Sequence, residues 1–171
     1  MLKNNVKTVT IIVVALIVAS MFYFFFLREY LDRSTDFTPD MIRRIIIRYR
    51  DGKLIVIKSG DQRLYEVLDR FNRLLDDVGS RLRRIYTDES IVDILNNSTY
   101  IEVFLNNRYV FKLAGEKVEA SKIIVFIEGA EKGVVVIDRG LVLNIYLWLC
   151  WRIDVSKNSF QELYMLISTY R

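Results

Sequence analysis

The stretch RRIIIRYRDGKLIVIKSG, residues 43–60, sets two runs rich in Ile and Val on either side of Asp51-Gly52. β-Branched side chains suit a pleated surface, and Asp-Gly favours a tight reversal with positive φ at both central positions. A β-hairpin is expected. With a two-residue loop, Tyr49 faces Leu54 and Ile47 faces Val56 on a core side. Arg48, Arg50, Lys53, Ile55 and Ile57 then occupy a mixed opposite side.

Downstream, Ser59-Gly60-Asp61-Gln62 supplies capping chemistry for a helix. Apolar residues follow three or four apart at Leu64, Val67, Leu68, Phe71, Leu74, Leu75, Val78, Leu82 and Ile85. The predicted helix ends or bends at Gly79-Ser80 and leaves Arg81-Leu82-Arg83-Arg84 as a basic tail suited to the helix dipole. Glu66 with Arg70, Asp69 with Arg73 and Asp77 with Arg81 line its polar face. Thr87 or Asp88 is placed to cap a short second helix ending at Asn96-Asn97.

Tyr100 to Leu105 and Arg108 to Leu113 predict a second hairpin across Asn106-Asn107, since Asn tolerates left-handed φ. Lys122 to Glu128 and Val134 to Asp138 predict a third, across the charged loop Gly129 to Gly133. Leu141 to Ile153 is the longest strand candidate. Asn158 or Ser159 caps a final helix with Phe160, Leu163, Tyr164 and Ile167 on one face. The order defines an α+β fold: one antiparallel-sheet domain over 41–171, about three hairpins plus a long strand, with helices packed on one face. Hairpin turns, not crossover helices, join the strands, which argues against a parallel sheet.

Upstream, residues 8–27 read TVTIIVVALIVASMFYFFFL and hold no charge, Pro or Gly. Twenty helical residues at ~1.5 Å each span ~30 Å, the thickness of a bilayer core. Val18-Ala19-Ser20 has the small residues of a signal-cleavage site, but the apolar run continues directly past it from Met21 to Leu27. The segment therefore reads as a retained transmembrane signal anchor. Residues 1–7 form a short basic tail before it, and 28–40, with Pro39, a stalk after it. Lys3 and Lys7 favour an N-terminus inside and a C-terminal domain outside the cytoplasm, a single-pass cell-membrane address.

The chain of 171 residues has a formal net charge of +4, of which Lys3 and Lys7 supply two charges. The near-neutral remainder argues against nucleic-acid binding, which needs massed phosphate contacts. No His and one Cys, Cys150, exclude Ser-His-Asp and Cys-His catalysis and zinc sites built on His or on several Cys. No internal disulfide is available. Abundant Ile and Arg with two Gln resemble a thermophile's composition.

Few residues invite a functional assignment. Within GLVLNIYLWLCWRI, residues 140–153, both strand faces are apolar, which describes a strand covered on two sides; with one face open, Tyr146 and Trp148 become a partner surface. Cys150 reads as a small buried residue. Arg43, Arg44, Arg48, Arg50 and Lys53 form the densest basic cluster, suited to anionic headgroups or to guarding an exposed strand. Asn96 and Asn97 begin overlapping N-x-[ST] glycosylation triplets. Asp76-Asp77, Asp88-Glu89 and Glu116 with Glu119 are carboxylate pairs that suit solvated faces and helix starts better than acid–base catalysis.

The expectation is a non-enzymatic, membrane-anchored interaction module with no cofactor or metal. Its partners are the bilayer, through 8–27, and a membrane or envelope protein. A tethered ligand-binding or sensory domain is the alternative, and a carboxylate-based hydrolase the weakest reading.

Overall fold

The computed structural model describes residues 17–22, 36–142 and 145–171. Residues 17–22 are helical and belong to the unit Met1–Arg33, distinct from the domain Ser34–Arg171. Among the described residues no helix is long and apolar enough to cross a membrane. The predicted tail 1–7, most of the span 8–27 and the stalk up to 35 lie outside the described residues.

The domain is α+β. β1 (Ile42–Arg48), β2 (Leu54–Lys58), β3 (Val78–Tyr86), β4 (Thr99–Leu113), β5 (Glu116–Glu128), β6 (Val134–Val142) and β7 (Ile145–Ile153) form one sheet in the order β2-β1-β4-β5-β6-β7-β3. Every pairing is antiparallel. Three helices accompany it: α1 (Gln62–Asp76), α2 (Asp88–Asn96) and α3 (Asn158–Thr169). Packing begins inside the segment read as a stalk: Phe37 is buried against Phe71 and Phe111, with ring centroids 6.3 and 5.1 Å away, before a 3-10 turn at Pro39–Met41.

The first hairpin forms, with a loop one residue longer than expected. Gly52 N–H donates to Tyr49 O and Tyr49 N–H to Lys53 O, both at 2.9 Å, and Gly52 has φ +90°. This is a type I turn followed by a glycine bulge. The Asp51 carboxylate accepts from Lys53 N–H at 3.0 Å, so Asp51 stays out of the left-handed region. Ile47 therefore pairs with Ile55 and Arg48 with Leu54. One residue of slip turns every side chain of β2 over. Ile57 is buried with Ile45, Ile47 and Tyr49, whereas Leu54 and Val56 lie on the outside.

Helix α1 starts where the capping residues place it. Asp61 accepts from Arg63 N–H at 3.0 Å, and Glu66–Arg70 (3.2 Å) and Asp69–Arg73 (2.5 Å) make the expected pairs. It ends earlier than expected, at Asp76. Val78–Tyr86, including Arg81–Arg84, is strand β3, and Arg81 pairs with Glu116 at 3.3 Å rather than with Asp77. Gly79 and Ser80 are weak helix formers, while β7 needs a neighbour for the backbone groups of its outer side; tertiary pairing overrides the helical spacing.

The expected hairpin at Asn106-Asn107 is absent: β4 runs unbroken from Thr99 to Leu113. The asparagines occupy a bulge, where the register against β5 shifts between Phe104 and Tyr109, and Asn106 Nδ2 donates to Asp40 O at 2.6 Å. The reversal lies at Ala114-Gly115, with φ +50° and +81° between paired Leu113 and Glu116. The hairpin across Gly129–Gly133 forms as expected. Leu141–Ile153 is not one strand, because Leu141 and Val142 end β6 and Val142 pairs with Ile145 at the start of β7.

Helices cover both faces rather than one. Ile45, Ile47, Ile101, Val125 and Trp151 share a core with Leu64 and Phe71 of α1 and Phe160 and Leu163 of α3. On the other face, Ile91 of α2 joins Tyr86, Tyr100, Ile124, Phe126, Val136, Trp148 and Cys150. Thr87 and Ser90 form a reciprocal capping box at α2. The residue flanking α3 is Lys157, with no side-chain cap; Ser159 Oγ instead donates to Asp77 Oδ2 at 2.6 Å, tying α3 to the end of α1.

Candidate interaction surface

α2 covers only part of its face of the sheet. Over β2, β1 and β4 the side chains stand in cross-strand rows set by the register. Lys58, Arg44 and Phe104 form one row; Val56, Ile46 and Glu102 the next; Leu54, Arg48 and Tyr100 the third. Leu54 and Val56 are 44% and 37% exposed, and Arg44, Arg48 and Lys58 are exposed around them. The result is an apolar strip with a cationic border.

The row that ends at Phe104 is already occupied. The Arg44 guanidinium lies 4.4 Å above the Phe104 ring. The Lys122 ammonium is 5.6 Å from the same ring, 4.5 Å from the Trp148 ring and 3.7 Å from the Glu102 carboxylate. Such contacts hold a cation at an aromatic face without burying its charge. Burial raises the Tyr100 hydroxyl above its ordinary pKa, with Glu102 reinforcing the rise and Arg48 opposing it. Glu102 is committed to Lys122, Asp51 to Arg171 (3.1 Å) and Asp61 to Arg63 (2.6 Å). Arg44, Arg48 and Lys58 make no ion pair among the described residues.

The predicted site residues separate into groups. Arg48 lies on this surface. Arg50 and Lys53 sit in the β1–β2 loop: Arg50 N–H donates to Thr99 Oγ1 at 3.3 Å, and Lys53 Nζ donates to Tyr170 O at 3.0 Å and to Arg171 O. Trp148 is 5% exposed and belongs to the core under α2, so it does not form an open patch. The side chain of Tyr146 lies outside the described residues. Asn96 and Asn97 are exposed at the end of α2, with Asn97 Nδ2 donating to Asp93 O at 3.0 Å, but Ser98 and Thr99 are buried. A two-residue loop places Leu54 and Val56 in the core and gives Lys58 no role; the glycine bulge is the signal that brings all three to this surface.

Elsewhere Arg70 and Arg73 share Glu162 at 3.5 and 3.4 Å, and Arg84 meets Glu131 at 2.6 Å. Burial raises the Cys150 thiol, whose Sγ–H donates to Arg84 O at 2.7 Å. Glu116 and Glu119 border one cleft of about 270 Å³, each beside an arginine, Arg81 at 3.3 Å and Arg108 at 3.9 Å. Between α1 and α3 an open groove of about 520 Å³ is lined by Glu66, Arg70, Gln161, Glu162 and Met165. Among the described residues no group of three or more Asp, Glu, Cys or His is placed to hold a metal ion. No family model, curated protein or solved structure matches the chain.

Proposed function

We propose that the chain is a non-enzymatic, single-pass membrane-anchored interaction module, an accessory or structural component of a membrane or envelope complex. Residues 8–27 serve as its anchor, with the N-terminus inside and the domain outside. The observation that carries the interaction reading is the strip of Leu54 and Val56 bordered by the cations Arg44, Arg48 and Lys58. Exposed apolar side chains rimmed by uncompensated like charges favour a partner of opposite charge. The uncharged length of 8–27 supports the anchor.

Protease protection of a C-terminally tagged chain tests the arrangement. Loss of the tag from intact cells, with a membrane-bound fragment retained, is expected. Digestion only after the cells are opened places the domain in the cytoplasm and overturns the orientation. A tag recovered in the soluble fraction overturns the anchor.

A tethered ligand-binding or sensory domain is the second reading, favoured by the groove between α1 and α3. Substitution separates the two, since Val56 carries the first and Met165, exposed at the groove, the second.

A further inference from the structure

The interaction surface ends at β2, whose one strand neighbour among the described residues is β1. Antiparallel ladders alternate between residue pairs that exchange N–H···O=C bonds and pairs whose backbone groups point away from each other. The bond from Tyr49 N–H to Lys53 O identifies 49/53 as a bonded pair. Counting along the register, Ile47/Ile55 and Ile45/Ile57 are bonded pairs too. The backbone N–H and C=O groups of Leu54 and Val56 and the N–H of Lys58 therefore point outward along the free edge, while Lys58 O accepts from Asp61 N–H at 3.1 Å. The same three residues bear the exposed side chains of β2.

We propose that β2 takes up an extended acidic polypeptide segment as an additional strand of the sheet. The segment has the pattern acid–x–apolar–x–acid. Its apolar residue lies beside Val56, one acid reaches Lys58 and Arg44, and the other reaches over Leu54 to Arg48. Main-chain bonds to the outward groups supply affinity, and alternate side chains supply selectivity. The inference rests on the reading of this face as an interaction surface and names the chemistry of its partner.

Charge and hydrogen bonding together select this occupant. A second copy of the chain brings the same cations and no acid to β2, and a short edge strand flanked by Lys53 and Lys58 is built to resist self-pairing. An anionic lipid layer balances the cations but offers no in-register row of alternating donors and acceptors to the strand edge. An acidic strand answers both needs.

The test uses the full-length chain in nanodiscs of zwitterionic lipid and the blocked heptapeptide Ser-Glu-Val-Val-Thr-Glu-Ser, with a control in which Lys replaces each Glu. Amide exchange at Leu54, Val56 and Lys58 is expected to slow about tenfold or more with the acidic peptide and to stay unchanged with the control. Val56→Pro removes an outward N–H that the β1 ladder does not use, so the domain stays folded, as its Trp fluorescence checks, while the peptide effect disappears. Lys58→Glu is expected to weaken the effect and keep the fold. No slowing, or slowing that survives both substitutions, overturns the proposal. Protection that appears only in nanodiscs containing anionic phosphatidylglycerol, without peptide, also overturns it and assigns the face to lipid headgroups, leaving the interaction reading intact. The tag experiment judges the anchor independently of all these outcomes.

Discussion

The Thr99 hydroxyl donates to Glu128 Oε2 at 2.7 Å and accepts from Arg50 N–H at 3.3 Å, in a position where Thr99 itself is buried. Glu128 Oε1 in turn accepts from the Tyr164 hydroxyl at 3.2 Å. The β1–β2 loop, the first pair of β4 and β5, and α3 thus share one polar junction. Thr99→Val keeps the shape and removes the hydroxyl, leaving the Arg50 N–H without its acceptor. It is expected to cost about 1–3 kcal/mol in urea titrations followed by Trp fluorescence; an unchanged midpoint removes the junction from the stability of the domain.

The β1–β2 register makes neighbouring residues respond oppositely. Ile57 is fully buried and Val56 is not. Ile57→Ala is expected to destabilise by about 2–5 kcal/mol, and Val56→Thr by no more than about 0.5 kcal/mol. The reverse order in thermal denaturation identifies the two-residue loop instead.

Three aspartates at the surface shape the acid limb of stability. Asp51 is held below the ordinary carboxylate value of 3.8 chiefly by the Lys53 N–H, Asp61 chiefly by the Arg63 side chain, and Asp154 chiefly by the Ser156 hydroxyl. A depressed folded-state pKa means that the unfolded chain takes up protons first on acidification. The stabilisation is complete above the unfolded value and is lost as pH falls through the folded values. Denaturation midpoints are expected to be level at neutral pH and to drop below about pH 4. Asp51→Asn combined with Asp61→Asn lowers the neutral midpoint and flattens that drop.

Cys150 is fully buried, and burial raises its thiol pKa. The thiolate is the reactive form, so a thiol reagent at pH 8 is expected to label Cys150 only as fast as the domain opens. Labelling in urea proceeds at the rate of a free cysteine. Rapid labelling of the native chain contradicts the packing under α2.

Features written in adjacent residues were legible before the fold was known. The Asp61 cap of α1, the Thr87 start of α2, the turn across Gly129–Gly133 and the buried setting of Cys150 rest on local chemistry or on plain apolarity; Trp148 read either as core or as partner surface, and it is core. What was misread depends on partners far along the chain. Val78, Leu82 and Ile85 have helical spacing, and only the presence of β7 makes them a strand. Asn106-Asn107 has the same local preference in a turn or a bulge, and Gly115 takes the reversal. At the candidate surface, Arg48 was legible as a charge on a strand. Its apolar neighbours were misplaced by a single residue of loop, because a period of two inverts on any odd error.

The meander from β4 to β7 joins strands that neighbour one another along the chain, but among the described residues β3 has one strand partner, and Val78 meets Ile153. During synthesis β3 leaves the ribosome long before β7 exists. At 5–20 residues per second, that interval is on the order of ten seconds. Throughout it, the backbone of 78–86 has no edge to join, and its three-and-four spacing fits a continuation of α1. The sheet edge at β3 therefore cannot close until β7 has been made, and a nascent chain stalled short of β7 holds a segment without its strand partner.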